Sequence, residues 1–196
     1  MRNPDETKSR ILTQSGVLFN TQGYKATSIS DITAATGYTK GAIYRHFKSK
    51  AALEKETLFH LSSIMFEKLR ARIKAEETAG NKLRAIFRYF ESYITSPELK
   101  GGCPLMNAAI EADDSNPTLR KEAIKILDIL RDSVTTVLKN GIRFNQIKKE
   151  TDLEYYATLI IGALEGAIMM SKLRGNNQDI RRVIKHLELQ LKDIEK

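Results

Sequence analysis

Between Thr27 and Lys50 the chain reads TSISDITAATGYTKGAIYRHFKSK, a stretch dense in hydroxyl, phenol, imidazole and cationic side chains. Hydroxyls, lysines and helix N-termini are the usual partners of phosphate oxygens, and such contacts fix register on a nucleic acid without reading its sequence. The pattern therefore points to DNA binding, provided that local structure holds these groups on one face.

The elements that must hold them are legible from their caps. Ser28 followed three residues later by Asp31 forms a capping box, so a short helix is expected from Ile29 to about Thr36. Gly37 follows where the chain must turn left-handed, and Thr39 caps a second short helix, Lys40 to about His46. Two helices joined by such a turn make a helix-turn-helix, here spanning about 28–47. Ile29, Ile32, Ala35, Ile43 and Phe47 are expected to pin the pair together, which leaves Thr39, Lys40, Ala42, Tyr44 and Arg45 facing outward. Gly41 lets the backbone come close to a partner. In such a unit the N-terminal end of the second helix meets base edges in the major groove, and its dipole suits phosphate.

From Ile11 to Leu53 the chain resembles the N-terminal domain of the TetR family of transcriptional regulators. Gly23-Tyr24, Thr27-Ser28, Asp31-Ile32, Gly37, Lys40-Gly41, Tyr44, His46-Phe47 and Ser49-Lys50 stand at the family's spacing. The chain departs from that pattern at Ser15 and Gly16, where two alanines are common, at Thr33 and Thr36, where alanine is usual, and at Tyr38, where a small apolar residue is typical. Carried over residue by residue, the resemblance implies that Thr27 or Ser28, Thr39, Tyr44, His46 and Lys50 touch the phosphate backbone. Lys40, Gly41, Ala42, Tyr38 and Arg45 would then face the bases. It further implies an all-α homodimer: a DNA-binding domain over 4–64, a C-terminal ligand-binding and dimerisation domain over 65–196, a palindromic operator and a small-molecule effector. Repression is the expected mode.

Composition agrees. Of the formal net charge of +8, residues 1–50 carry eight Lys or Arg against three Asp or Glu, and the remaining 146 residues are nearly balanced. Basic charge thus gathers on the proposed reader. One cysteine leaves no intramolecular disulfide to form. The polar start MRNPDETKSR carries no secretory pattern, and the apolar run from Ala157 to Met170 is short for a bilayer and contains Glu165. A soluble cytoplasmic protein with no membrane partner is expected.

The rest of the chain reads as about nine helices and no sheet. The first covers about Glu6 to Gln22. A long fourth helix runs from Lys50 to about Glu77, its start belonging to the reader and its end to the following domain, which makes it a lever. Ala79-Gly80-Asn81 breaks the chain, and the next helix runs to Thr95 before Ser96-Pro97. Short helix six follows Pro104 to about Ala112, helix seven opens at Asn116-Pro117 and closes at Gly141, helix eight starts from a Thr151–Glu154 capping box and ends near Gly175, and helix nine covers Gln178 to about Ile194.

Helix eight is apolar around most of its circumference, with Gly162, Ala163, Gly166, Ala167 and Met170 offering close approach to another helix. In the family pattern the last two helices form the dimer interface; the bland alternative is a central helix of a monomeric bundle. Phe66, Phe87, Phe90, Met106, Ile110, Leu127 and Leu130 could line an effector cavity with Tyr93, Asn107 and Glu111 as polar contacts, or simply form core. Cys103 precedes Pro104 near a helix N-terminus, where a dipole lowers a thiol pKa; a redox sensor and an idle buried thiol are both open.

Two other classes compete. A helical enzyme finds no support, since HExxH, CxxC and phosphate-cradling glycine motifs are missing and His46, His60 and His186 lack metal-ligand spacing. No metal or cofactor is expected. An architectural DNA binder without effector control would leave the long C-terminal part unexplained.

Overall fold

The structure, a computed structural model, describes residues 4–97 and 99–196; the first three residues of the polar N-terminal stretch and Glu98 lie outside them. The described residues form nine α-helices: α1 (Pro4–Gln22), α2 (Ile29–Thr36), α3 (Lys40–His46), α4 (Lys50–Lys74), α5 (Ala79–Thr95), α6 (Pro104–Ala112), α7 (Pro117–Arg143), α8 (Leu153–Arg174) and α9 (Gln178–Ile194). Their only extended pairing among described residues is an isolated bridge between Ile147 and Glu195.

Four boundaries differ from those expected from the sequence. α4 stops at Lys74, and Ala79-Gly80 belong to the first turn of α5 instead of breaking the chain, because Thr78 caps that helix by accepting from the Asn81 N–H at 3.2 Å. Gly141 lies inside α7: a Cβ there would meet Ile147 at 2.5 Å and Ala79 at 2.7 Å, so it is a packing glycine, and Asn145 takes the left-handed position with φ 58°. Asp152, not Thr151, caps α8, its carboxylate accepting from the Tyr155 N–H at 3.0 Å.

The chain divides into two compact units. One comprises the residues up to 65 and Leu99–Ile126; the other comprises residues 66–97 and Leu127–Lys196. The chain therefore returns to the first unit after α5, which a split at 64/65 does not contain.

In the first unit α1 packs on α2 and α6, and α2 packs on α3. Ile11, Phe19, Tyr24, Ile32, Ile43, Phe47, Leu53 and Leu58 form its core, each no more than 1% exposed. Phe19 and Tyr24 stack at 4.8 Å between ring centroids, and Gly16 lies so close to Leu61 that a Cβ would meet its side chain at 2.8 Å. Ser15, Thr57 and Ser62 bury hydroxyls that find no hydrogen-bond partner.

The second unit is a bundle in which α5, α8 and α9 pack on one another. Arg84 ties α5 to the end of α9, donating through both terminal nitrogens to Glu195 at 2.7 Å and through Nε to Glu188 at 2.9 Å. Those carboxylates hold its guanidinium pKa above the usual value. Gly80 makes room for the arrangement, since a Cβ there would overlap Glu195.

α8 is long and apolar enough to cross a membrane by length and composition alone. It packs as a bundle helix, with Ala157, Leu164, Ala167 and Ile168 wholly buried.

Candidate nucleic-acid interface

The helix-turn-helix forms where its caps dictate. The Ser28 hydroxyl accepts from the Asp31 N–H at 3.1 Å, and the Asp31 carboxylate accepts from the Ser28 N–H at 2.7 Å and from its hydroxyl at 2.7 Å. Those Ser28 hydrogen bonds lower the Asp31 pKa. α2 ends at Gly37, whose φ of 71° is the left-handed value, and Thr39 opens α3 by accepting from the Ala42 N–H at 3.2 Å.

Ile32, Ile43 and Phe47 hold the pair together as expected, Ile29 is half-buried, and Ala35 faces solvent. Ala35 follows Ile32 by three residues, but α2 has only eight, and its buried side is completed by Thr36, whose hydroxyl donates to the Ile32 carbonyl at 2.7 Å.

On α3 and its Thr39 cap the exposed residues are Thr39, Lys40, Gly41, Tyr44 and Arg45, while Ala42 and His46 are half-buried. A Cβ on Gly41 would meet no atom within 4 Å. The Lys40 ammonium lies 5.9 Å from the Tyr44 ring centroid, and the Arg10 guanidinium lies 5.7 Å from that of Tyr38, so each of these tyrosines carries a cation over its ring.

Three expected phosphate contacts sit differently. Thr27 is fully buried and donates its hydroxyl to the Gly23 carbonyl at 2.7 Å, so its side chain faces inward. The Ser28 hydroxyl is occupied by the capping box. Lys50 directs its ammonium to the Tyr24 carbonyl at 2.7 Å and to Glu54 at 3.3 Å, bracing the turn between α1 and α2.

The turn is also held from α6, which the sequence reading assigned to effector contacts. Glu111 accepts from the Tyr24 and Lys25 N–H groups, both at 3.0 Å, and Asn107 donates to the Asn20 backbone and side-chain oxygens at 3.1 and 2.8 Å. Ile110 is 66% exposed, and Met106 is half-buried in the same unit. In the second unit Phe87, Phe90, Tyr93 and Leu130 are buried and Phe66 and Leu127 half-buried. Tyr89, Phe90 and Tyr93 pack edge to face there, with centroids 5.5 to 6.2 Å apart. Cys103 is wholly buried, which shields its thiol from solvent.

On α8 the small residues divide between two faces. Ala167 is wholly buried and Ala163 half-buried within the bundle, whereas Gly162 and Gly166 have open space where a Cβ would stand. Their neighbours on the outward side are Met169, Met170 and Leu173, with Leu189 exposed on α9. Met169, Leu173 and Leu189 extend this exposed apolar surface beyond the residues named from the sequence. The spacing 162, 166, 169, 173 carries the signal, because steps of three and four trace one helix face.

A capped helix pair with an exposed cationic helix, set in an all-α chain whose second unit leaves an apolar helix face uncovered, defines a helix-turn-helix DNA-binding protein. Residues 11–57 match the family described as bacterial regulatory proteins, tetR family, and residues 79–187 match the tetracyclin repressor-like C-terminal domain. The chain belongs to the TetR family of transcriptional regulators.

Relatives agree along the whole length. The HTH-type transcriptional repressor DhaR of Mycobacterium sp. (strain GP1) is 24% identical over 163 residues, 83% of this chain and 81% of the relative. A TetR transcriptional regulator from Chloroflexus aurantiacus superposes with a TM-score of 0.95 at 35% identity, covering 100% of this chain and 98% of that one. A mutant of the TetR-family regulator CifR, solved with 26-bp double-strand operator DNA, shares the fold at 21% identity and a TM-score of 0.83, with 95% of each chain covered. The protein is a DNA-binding transcriptional regulator; its family is one of regulators and not of enzymes.

Proposed function

We propose that this regulator is a ligand-responsive cytoplasmic repressor, reading a palindromic operator through the N-terminal half of α3 in each protomer of a homodimer. The observation that carries the reading is the exposed Thr39-Lys40-Gly41 start of α3, where backbone N–H groups, an ammonium and an unobstructed glycine share one end of a helix. Lys40, Gly41, Ala42, Tyr38 and Arg45 face bases, and Thr39, Tyr44 and His46 touch phosphates. Thr27, Ser28 and Lys50 contribute by placing α2.

Dimerisation uses the Gly162–Gly166 face of α8 with the exposed part of α9. A two-fold dimer matches operator half-sites about 34 to 36 Å apart, or a multiple of that. The effector binds among the aromatic side chains of α5 and shifts the population between two states, coupled through α4, which runs from the first unit into the second. Releasing DNA about 100-fold requires a difference of only ~2.7 kcal/mol between those states.

Footprinting the purified protein on DNA flanking its own gene tests the reading. Protection of two inverted half-sites is expected; uniform protection with no preferred site would leave an architectural binder instead.

A further inference from the structure

We infer that Glu111 on α6 is a positioning residue of the DNA reader, gripping the turn that sets where α2 and α3 stand. The inference rests on the operator-reading function above.

The turn lies between the end of α1 and the cap of α2, and its backbone is held from both sides. Both oxygens of Glu111 accept from consecutive N–H groups, those of Tyr24 and Lys25, at 3.0 Å each. On the carbonyl side the Lys50 ammonium donates to Tyr24 at 2.7 Å. One peptide unit is thus fixed between a carboxylate and an ammonium, and bonds to ionised partners are the strong class.

The surroundings are built around the grip. Gly23, with φ 96°, leaves space that a Cβ would fill, since it would stand 2.7 Å from a Glu111 oxygen. Glu54, 6% exposed, pairs with Lys50 and accepts from Asn116 at 3.1 Å, so α4 and the start of α7 brace the same turn. One turn earlier, Asn107 on α6 bonds Asn20 on α1, and Asn20 donates to the carbonyls of Lys100 and Gly102 at 2.7 and 2.9 Å. α6 is thus tied by polar bonds of defined direction to the last turns of α1 at Asn107 and to the turn beyond it at Glu111.

Thr27 and the Ser28 cap follow this turn directly, so its displacement is carried into α2 and from there into α3. Base readout depends on that placement, while sequence-independent attraction to phosphate depends on charge. The two can be separated because Glu111 is an anion on a DNA-binding unit. Neutralising it raises attraction to any duplex; loss of the grip lowers affinity for the operator alone.

The test measures affinity of the full-length wild type, Glu111→Gln and Glu111→Asp for the footprinted operator and for a random-sequence duplex, over a range of salt concentrations. In Glu111→Gln one amide N–H faces a backbone N–H, and the ratio of operator to random affinity is expected to fall about tenfold, with random-duplex affinity unchanged or tighter. Glu111→Asp keeps the charge on a shorter arm and should give an intermediate ratio. A folded Glu111→Gln dimer with an unchanged ratio overturns the inference, as does an unchanged ratio in Glu111→Asp should the Gln variant not fold. Wild type that fails to prefer the operator fails the function itself, a separate result.

Discussion

The outer faces of α3 and α8 share one device and differ in all that surrounds it. A Cβ added at Gly41 on α3, or at Gly162 or Gly166 on α8, would meet no atom within 4 Å. Around Gly41 stand Thr39, Lys40, Tyr44 and Arg45; around the α8 glycines stand Met169, Met170 and Leu173. Bare backbone admits a close neighbour in both places. The flanking chemistry favours different neighbours: a polyanion gains by releasing its condensed counterions to a cationic face, whereas another helix gains by covering apolar surface.

The largest test of this contrast is a leucine in place of Gly166. The open space tolerates the side chain in one subunit, so helicity should be retained, but the close approach is blocked. Sedimentation should show the dimer dissociation constant rising at least ~100-fold, a cost of about 2.7 kcal/mol, and operator affinity falling with it. A fully dimeric variant would remove α8 from the interface.

Gly41→Leu is the mirror experiment. It should remain dimeric, since its Cβ also meets open space, yet lose about 10- to 100-fold in operator affinity because the backbone can no longer approach the groove. Undiminished binding would place α3 away from the DNA.

Smaller effects probe the supports and not the faces. Ser28→Ala removes one half of the α2 capping box and should cost about 1 kcal/mol of stability, read in denaturant unfolding. The pH dependence carries a definite sign. Asp31 titrates below its ordinary 3.8 in the folded chain, so the capping contribution is present above that value and is lost as pH falls through the lowered one. In Ser28→Ala that acid-side loss should shrink; an unchanged acid limb would show that the box contributes nothing.

Ser15→Ala should act in the opposite direction. The Ser15 hydroxyl is buried with no partner, and alanine relieves about 1 kcal/mol, raising the melting temperature by roughly 2–4 °C. Calorimetry that shows destabilisation would reveal a hydrogen bond at that hydroxyl.

These supports also show what was legible in the chain and why. The Ser28–Asp31 box, the Gly37 turn and the Thr39 cap involve partners within four residues, so residue types alone determine them. Locality is no guide at Gly141 and Gly80: glycine reads as a break, yet here each is a helical position kept small by a neighbour distant in sequence, Ala79 or Glu195. Ala35 fits the apolar spacing of α2 and still faces solvent, because the buried side is centred on Ile29, Ile32 and Thr36 and leaves Ala35 at its edge.

Side-chain direction was the least legible quantity. Thr27 and Lys50 have the chemistry of phosphate partners, but burial turns the first inward and the Tyr24 carbonyl takes the second. Asn107 and Glu111 look equally suited to an effector, and bonds to residues nearly ninety positions away commit them to α1 and its turn.

By itself the amino-acid sequence determined the helix-turn-helix, the all-α class, the TetR-family membership and the basic character of the reader. Each depends on short-range spacing, capping and composition, which act before the chain is compact. Tertiary structure alone decided that Lys50, Asn107 and Glu111 are engaged in holding α1 and the turn that follows it. Those pairings join residues 26 to 87 positions apart, and only the packed helices bring such partners within hydrogen-bonding distance.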